Sequence, residues 1–215
     1  IKMLKTMLKG SPLLAPLPVV MVSMGDETDK NIITVAWCGV VCSNPPRVYI
    51  SVRKERHSHS LLKKHGCFVI NLTSKDLVAA CDYCGIRSGR DVDKFKEMGL
   101  TAVKANLVDA PLIAESPVCL ECKVFDVLDL GSHDMFLADV LAVDVDDSIM
   151  TDGGKADFEK AQLVCYSHGE YYSVAKHLGR FGFAAQKKFI RDNGKGVNVN
   201  IDNATLTKRN ENKNK

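Results

Sequence analysis

The chain has 215 residues, 46% of them hydrophobic and 26% charged, a composition that excludes a mainly disordered, collagen-like or fibrous protein. Its formal net charge of +3 resides in the tail, where Lys208, Arg209, Lys213 and Lys215 outnumber Glu211, so the rest of the chain is neutral and offers no basic face for nucleic acid. No apolar run reaches the ~20 residues of a membrane-spanning helix.

The best candidate for such a run, residues 13–22, is broken by Pro16 and Pro18. Lys2, Lys5 and Lys9 are spread out and no small-residue cleavage site follows them, which speaks against a secretory leader and for the cytoplasm. The cysteines (Cys38, Cys42, Cys67, Cys81, Cys84, Cys119, Cys122 and Cys165) are then expected as free thiols.

Residues 18–24 form a short Val-rich run, residues 25–30 a polar turn, and residues 31–41 a second run that is β-branched at Ile32, Ile33, Thr34 and Val35. Together they predict a β-hairpin. Pro45-Pro46 ends the second run. From Arg47 to Arg53, apolar Val48, Ile50 and Val52 alternate with Arg47, Tyr49, Ser51 and Arg53, the pattern of a half-buried strand. A helix follows, with Ser58 as its N-cap, Leu61 and Leu62 on its apolar side, basic residues in its last turn and Gly66 as its stop. Residues 67–72 predict a buried strand and residues 74–81 a helix. Residues 85–99 read as a polar loop holding a short helix around residues 93–98. Residues 118–128 and 135–145 predict two strands about the turn Asp129-Leu130-Gly131-Ser132, and residues 158–163 a short helix. Val197, Val199 and Ile201 alternate with asparagine and predict a small extra strand. Many short strands with few helices make the fold mainly β, a closed or partly closed antiparallel barrel. It is expected as one domain over residues 16–189, between an N-terminal extension, residues 1–15, and a solvated, frayed tail, residues 190–215.

Arg53-Lys54-Glu55-Arg56-His57-Ser58-His59-Ser60 gathers three fixed cations, two imidazoles and two hydroxyls between a strand and a helix N-terminus, where free amides and the helix dipole favour an anion. Two readings stand side by side: a phosphate site, or a solvated charged turn with an ordinary cap. On the run that begins at Asn31, residues Asn31, Val35 and Trp37 share one strand face and Thr34, Ala36 and Cys38 the other. Such a strand suits a flat polar ring, and equally a core with one buried Trp. Cys81-x-x-Cys84 and Cys119-x-x-Cys122 offer four thiolates, the set a structural zinc takes. Residues three apart on a strand face opposite ways, so packed thiols and no metal are expected. No Ser/His/Asp order or carboxylate pair points to hydrolysis.

Five motifs in order resemble a family. They are Asn31-x-x-Thr34-x-Ala36-Trp37, Ser43-x-Pro45-Pro46, the Arg53 to Ser58 turn with Phe68-Val69-Ile70-Asn71-Leu72 after it, Asp82 to Phe95, and Gly131 to Val140. They are similar to the flavin reductase-like proteins of the flavoredoxin type, over roughly residues 16–185. The resemblance implies a Greek-key, FMN-binding split β-barrel that forms a homodimer and holds FMN in a groove near the subunit interface. It implies an oxidoreductase in which NAD(P)H gives a hydride to the flavin and electrons pass on to a small-molecule or protein acceptor. Under it, Asn31, Thr34, Ala36 and Trp37 lie beside the flavin ring, and Cys42 and Ser43 fall on the segment continuing along it. Arg53 and Ser58 hold the phosphate, with Lys94 as a second cation. His133 matches the catalytic-side histidine before the strand that passes the flavin, and Tyr166 lies toward the nicotinamide. The alternatives are a non-enzymatic flavin-binding electron carrier and a zinc-binding structural module. Lys54, Ser58 and Ala138 stand where such sequences often have Pro, Thr and Gly.

Overall fold

The computed structural model describes residues 4–174 and 177–183. They fall in two compact units, Ile1–Val174 and Ala175–Lys215. In the second unit the Phe183 N–H donates to the Arg180 carbonyl at 3.0 Å. The strand expected at residues 197–201 and the charged tail lie outside the described residues.

The first unit runs β1 (Leu17–Pro18), β2 (Val20–Met24), β3 (Asn31–Val35), β4 (Cys38–Ser43), β5 (Pro46–Arg53), α1 (His57–His65) and β6 (Cys67–Leu72), then α2 (Val78–Ile86) and α3 (Lys94–Glu97). It continues through β7 (Ala102–Lys104), β8 (Pro111–Ile113), β9 (Val118–Asp129), β10 (His133–Val145), β11 (Val164–Ser167) and β12 (Glu170–Ser173). One seven-stranded sheet takes the order β3-β2-β6-β9-β10-β5-β4. Every neighbouring pair in it is antiparallel. Its two edge strands, β3 and β4, are consecutive in the chain and joined only by Ala36 and Trp37. Such a link spans about 10 Å at full stretch, so the sheet has to curl until its edges nearly meet. The fold is mainly β, a split barrel. The expected single strand over residues 31–41 is therefore two strands, broken where the chain steps across the seam.

The alternation on β5 does what it predicts: Val48, Ile50 and Val52 are buried. They pack inside the barrel with Val20 and Val22 of β2, Phe68 of β6 and Phe136 of β10. Strand β2 is buried on both faces. Its Met21, with Val19 just before it, joins Ile32, Leu77, Cys81, Cys84 and Phe95 in a second cluster, under α2 and α3. The second face holds α2 against β3, which places the loop after α2 beside the seam.

Helix α1 ends as expected: Gly66 has φ +64° and its N–H donates to the Leu62 carbonyl. Its start differs. Arg56 is the N-cap residue and supplies no side-chain cap, while Ser58 lies inside the first turn. The Ser58 hydroxyl is taken by Asn31, whose Nδ2 donates to it at 2.9 Å. The helix expected at residues 158–163 is a series of turns. Asp157 Oδ1 accepts from the Glu159 and Lys160 amides, but Gln162 has φ +48° and Leu163 pairs with Ser74, so the chain leaves the helical path. Among the described residues no helix is long and apolar enough to cross a membrane.

Candidate functional site

A cavity of about 530 Å³ opens at the seam. Thr34, Ala36 and Trp37 come to it from the end of β3 and the link beyond, Arg53 from the end of β5, and His133 from the start of β10. Arg53 and His133 are register partners in the antiparallel β5/β10 pair, so the sheet itself brings them together. Tyr166 of β11 and Tyr171 of β12 close another side, and Asp82 and Gly85 come from α2. A smaller cavity of about 290 Å³ shares Ile33, Arg53 and Arg56 with the first. It is lined by His57 and Ser58 of α1, by Arg87 to Arg90, and by Lys94.

The smaller cavity is cationic on balance: Glu55 also lines it, against Arg53, Arg56, Arg87, Arg90 and Lys94. Arg56, Arg87 and Arg90 make no salt bridge or side-chain hydrogen bond among the described residues. Arg53 is tied to Glu55, Nε to Oε1 at 2.7 Å. Ser58 accepts its one protein hydrogen bond from Asn31, which leaves its own proton to donate. The loop carrying Arg87 and Arg90 reaches this position because residue 89 is glycine: a Cβ there would run into the Asn31 carboxamide. Asn31 itself is buried and lines neither cavity; it holds Ser58 and abuts the loop from behind.

Lys94 has a double task. Its Nζ donates to the carbonyls of Ile32 at 2.6 Å and Cys84 at 2.8 Å, bolting β3 to α2. Burial lowers the pKa of its ammonium to about 8. Two of its three N–H groups are thus committed to the backbone. Lys54, counted among the cations of the turn, faces away from the cavities. Its Nζ meets Asp129 Oδ1 at 2.7 Å and Asp134 Oδ1 at 3.5 Å. Asp134 is buried, and its Oδ2 meets His59 Nε2 at 2.8 Å and Lys63 Nζ at 3.1 Å. Burial pushes that carboxyl up, but the bonds from His59 and Lys63 and the Lys54 charge outweigh it and hold the group at about 2. This network clamps α1 to β10, immediately beside His133.

His133 and Trp37 stack at the rim of the larger cavity, ring centroids 4.5 Å apart and tilted by 37°. His133 Nδ1 lies 2.8 Å from Ser132 Oγ. Burial, and then the Arg53 charge, lower the imidazole pKa below its ordinary value, so the ring is neutral at pH 7.

Of the residues singled out in the sequence, Thr34, Ala36, Trp37, Arg53, His133 and Tyr166 line the larger cavity, and Arg53, Ser58 and Lys94 the smaller. Cys42 and Ser43 do neither. They lie at the far end of β4, where the Cys42 thiol lies 3.4 Å from the Asn44 carbonyl. The strand break at Trp37 carries β4 away from the cleft. Sequence reasoning did not assign Arg87, Arg90, Asp82 or Tyr171. The first two lay in a Gly-containing loop with an available signal, two arginines three apart. The last two had none, since they are 89 residues apart and meet only in the fold.

The four CxxC thiols do not converge. Cys81 and Cys84 belong to the cluster under α2, Cys119 to a third cluster and Cys122 to the barrel interior. Burial pushes Cys84 and Cys119 up to about 11 and Cys38 and Cys122 up to about 12, so these are packed thiols. Among the described residues the one group with metal-ligand spacing is Asp26, Asp29 and His65. Lys64 Nζ already occupies Asp29 Oδ2 there, at 2.6 Å.

The molecule is a curled antiparallel split barrel with an arginine-rich lobe that opens into a cleft rimmed by stacked aromatic rings. The chain belongs to the flavin reductase-like family: the model of the flavin reductase like domain matches residues 14–175. An uncharacterized protein of Pyrococcus abyssi is 30% identical over 173 residues, covering 80% of this chain and 99% of the relative. The solved flavoredoxin of Desulfovibrio vulgaris (Miyazaki F) is 33% identical with a TM-score of 0.80, covering 85% of this chain and all of that one. An FMN-binding protein of Thermus thermophilus, at 22% identity and a TM-score of 0.70 over 84% of this chain and 98% of that one, shares the fold.

The stacked pair gives a direct readout, because Trp37 is the single tryptophan of the chain. A protonated imidazole at 4.5 Å quenches indole emission. Trp37 fluorescence should fall on acidification with a midpoint below the ordinary histidine value of 6.5, since burial and Arg53 disfavour the charged ring. His133→Asn should abolish the transition, and a transition that persists in that variant would assign it elsewhere.

Proposed function

We propose that this chain is an FMN-binding oxidoreductase that takes a hydride from NADH or NADPH and passes electrons to a small-molecule or protein acceptor. One observation carries the reading: a small cavity with three arginines that make no side-chain hydrogen bond or salt bridge among the described residues, and with a free hydroxyl proton, shares its walls with a larger one that has a flat aromatic rim. That donor set fits a phosphate dianion, and the larger cavity fits a planar ring joined to it. Family membership and the likeness to a flavoredoxin support the same ligand.

When bound, the flavin supplies the hydride and electron chemistry. The chain supplies the rest. Arg56, Arg87 and Arg90 hold the phosphate with charge-assisted hydrogen bonds, and Ser58 donates its proton to it. Lys94 fixes β3 to α2, so the wall that Thr34 and Ala36 present does not shift. Thr34 Oγ1 donates to the Cys81 carbonyl, a second tie between the same elements. Trp37 and His133 form the rim against which a ring is placed, and the neutral His133 can accept or donate one hydrogen bond there. Tyr166 and Tyr171 shield the far side from water. No strongly basic or nucleophilic side chain is needed in such a site, in keeping with the raised thiols and the lack of a triad.

The chain is further proposed to act as a homodimer. Val40 of β4, Phe125 and Leu128 of β9 and Leu141 and Val143 of β10 are exposed, on strands from the β9-to-β4 side of the sheet. Large apolar groups exposed on neighbouring strands in one half of a sheet are a surface that a second copy covers. Sedimentation should give twice the chain mass, and a monomer at micromolar concentration would remove this part of the reading.

The anchor is tested by fluorescence titration with FMN. Arg56→Ala combined with Arg90→Ala should weaken FMN binding by at least ~10-fold, since a hydrogen bond to a charged group contributes ~1.5–3 kcal/mol. Unchanged affinity would overturn the phosphate assignment. Stopped-flow mixing of the FMN-loaded chain with NADH and with NADPH should bleach the flavin band with at least one of them. A band that neither bleaches points instead to an electron carrier that receives its electrons from another protein.

A further inference from the structure

Away from the cleft, two carboxyl groups meet on the face of β9 turned away from the barrel interior. Register sets Glu121 of β9 opposite Ala142 of β10 and Cys119 opposite Asp144, so Glu121 and Asp144 are diagonal neighbours on one face. Glu121 is fully buried. Its Oε1 accepts from the Asn106 N–H at 2.8 Å, and its Oε2 from the Leu107 and Val108 N–H groups at 2.6 and 3.1 Å. All three amides belong to the loop between β7 and β8. Asp144 Oδ1 accepts from Nδ2 of the same Asn106 at 3.0 Å. Asp144 Oδ2 is sealed from solvent and meets no donor among the described residues. What it does meet is the Glu121 carboxyl, another acceptor. Two ionised carboxylates so placed repel each other, and one proton between them turns the contact into a hydrogen bond.

The loop is part of a lid. Strands β7 and β8 pair only with each other, and a cavity opens on either flank of their hairpin. One, of about 410 Å³, lies between Val103, Leu112 and Asp144; the other, of about 490 Å³, lies between Val103, Val108 and the turn after β2. Ala105, Val108 and Ala110 cover Cys67 and Val69 of β6 and Cys119 of β9 in a small cluster. The far end is bolted separately, the Ile113 N–H donating to Asn71 Oδ1 at 2.9 Å.

We infer that Glu121 and Asp144 form a one-proton latch: with the proton between them the loop is fastened over β6 and β9, and without it the loop is released. The latch is independent of the flavin reading and touches none of its residues. Burial, and then the Glu121 charge, raise the Asp144 pKa. Burial pushes Glu121 up as well, but the three amides outweigh it and hold that group below its ordinary value. The proton therefore resides on Asp144, and the pair titrates as a unit. A raised folded-state pKa gives stability that is complete in acid and is lost as the pH rises through the Asp144 titration. Burial raises the neighbouring thiols Cys67, Cys119 and Cys122, so they stay neutral across that range. The charged residues on the elements packed around the pair are Lys104 of β7, Asp109 of the loop, Lys123 of β9, and Asp146 and Asp147 beyond β10. Among the described residues none of them makes a salt bridge with either carboxyl, so no cation cancels the second charge when it appears.

Hydrogen exchange of the full chain, read by mass spectrometry on the peptide that carries residues 105–110, tests the latch from acid to neutral pH. Asp144→Asn is the reference, because its carboxamide donates to Glu121 at every pH. Comparing the two chains at the same pH cancels the intrinsic pH dependence of exchange. Their loops should exchange alike in acid. Once Asp144 is ionised, the native loop should exchange at least about threefold faster than the variant's. Glu121→Gln, which turns one acceptor of the nest into a donor, should exchange faster than the native chain in acid, where the latch is closed. A reading that needs no variant comes from the native chain itself, in which the ratio of loop exchange to β6 exchange should rise across the same range. A native-to-Asp144→Asn ratio that stays constant with pH overturns the inference. So does a change that the β6 amides share in full, which is a shift of the whole fold, and so does a Glu121→Gln loop as protected in acid as the native one.

Discussion

Two residues, Ala36 and Trp37, join the opposite edges of a seven-stranded sheet. Most of the site follows from that short link. It forces the sheet to curl, and the curl brings the ends of β3 and β5 and the start of β10 to one corner. The Ser51 N–H donates to the Trp37 carbonyl at 2.8 Å, so the link is also stitched to β5. Trp37 cannot retreat into the core from there. Its ring is left at the rim, against His133, where the two edges fail to close. The split in the barrel and the cleft are thus one feature.

The seam needs reinforcement because its backbone groups are shared by so few strands. Lys94 provides it by donating to carbonyls on both β3 and α2. A buried ammonium is costly unless paired, and here the partners are dipoles rather than a carboxylate. Its lowered pKa reflects that choice. The charge is therefore not cancelled inside the protein, and the field it adds to the smaller cavity is retained. On the other side of the corner the opposite solution is used. The buried Asp134 carboxylate is surrounded by His59, Lys63 and Lys54, and its charge is spent on holding α1 to β10.

This sorting of charges explains what the sequence could and could not reveal. The strands of the barrel were legible because alternation and β-branching report burial directly: Val48, Ile50 and Val52 point inward as their spacing says. Gly66 announced the end of α1 by the backbone conformation it alone adopts without strain. The step at Ala36-Trp37 was hidden because apolar and β-branched residues continue on both sides of it, and periodicity does not register a change of sheet edge. The turn from Arg53 to Ser60 was rightly singled out for its cations, yet composition could not divide them. Lys54 bolts, Arg53 is tied to Glu55, and Arg56 makes no salt bridge among the described residues. That division depends on Asp129 and Asp134, residues more than seventy positions away.

The cysteines show the same limit from the other direction. Two CxxC pairs carry the spacing of a metal site, and spacing is all that a sequence displays. In the fold, Cys119 and Cys122 leave the same strand toward different clusters, and Cys81 and Cys84 are packed under α2. Burial raises the thiols and removes the thiolate a metal or a redox partner would need. The residues that share the larger cavity come from scattered places, with Thr34, Arg53, Asp82, His133 and Tyr171 each on a different element. None of them is distinctive alone. What gives them chemical meaning is the distribution of charge they produce together, arginines where the two cavities join and a single carboxylate in the wall of the larger one. That distribution is a property of the curl, and so it returns to the two residues that impose it.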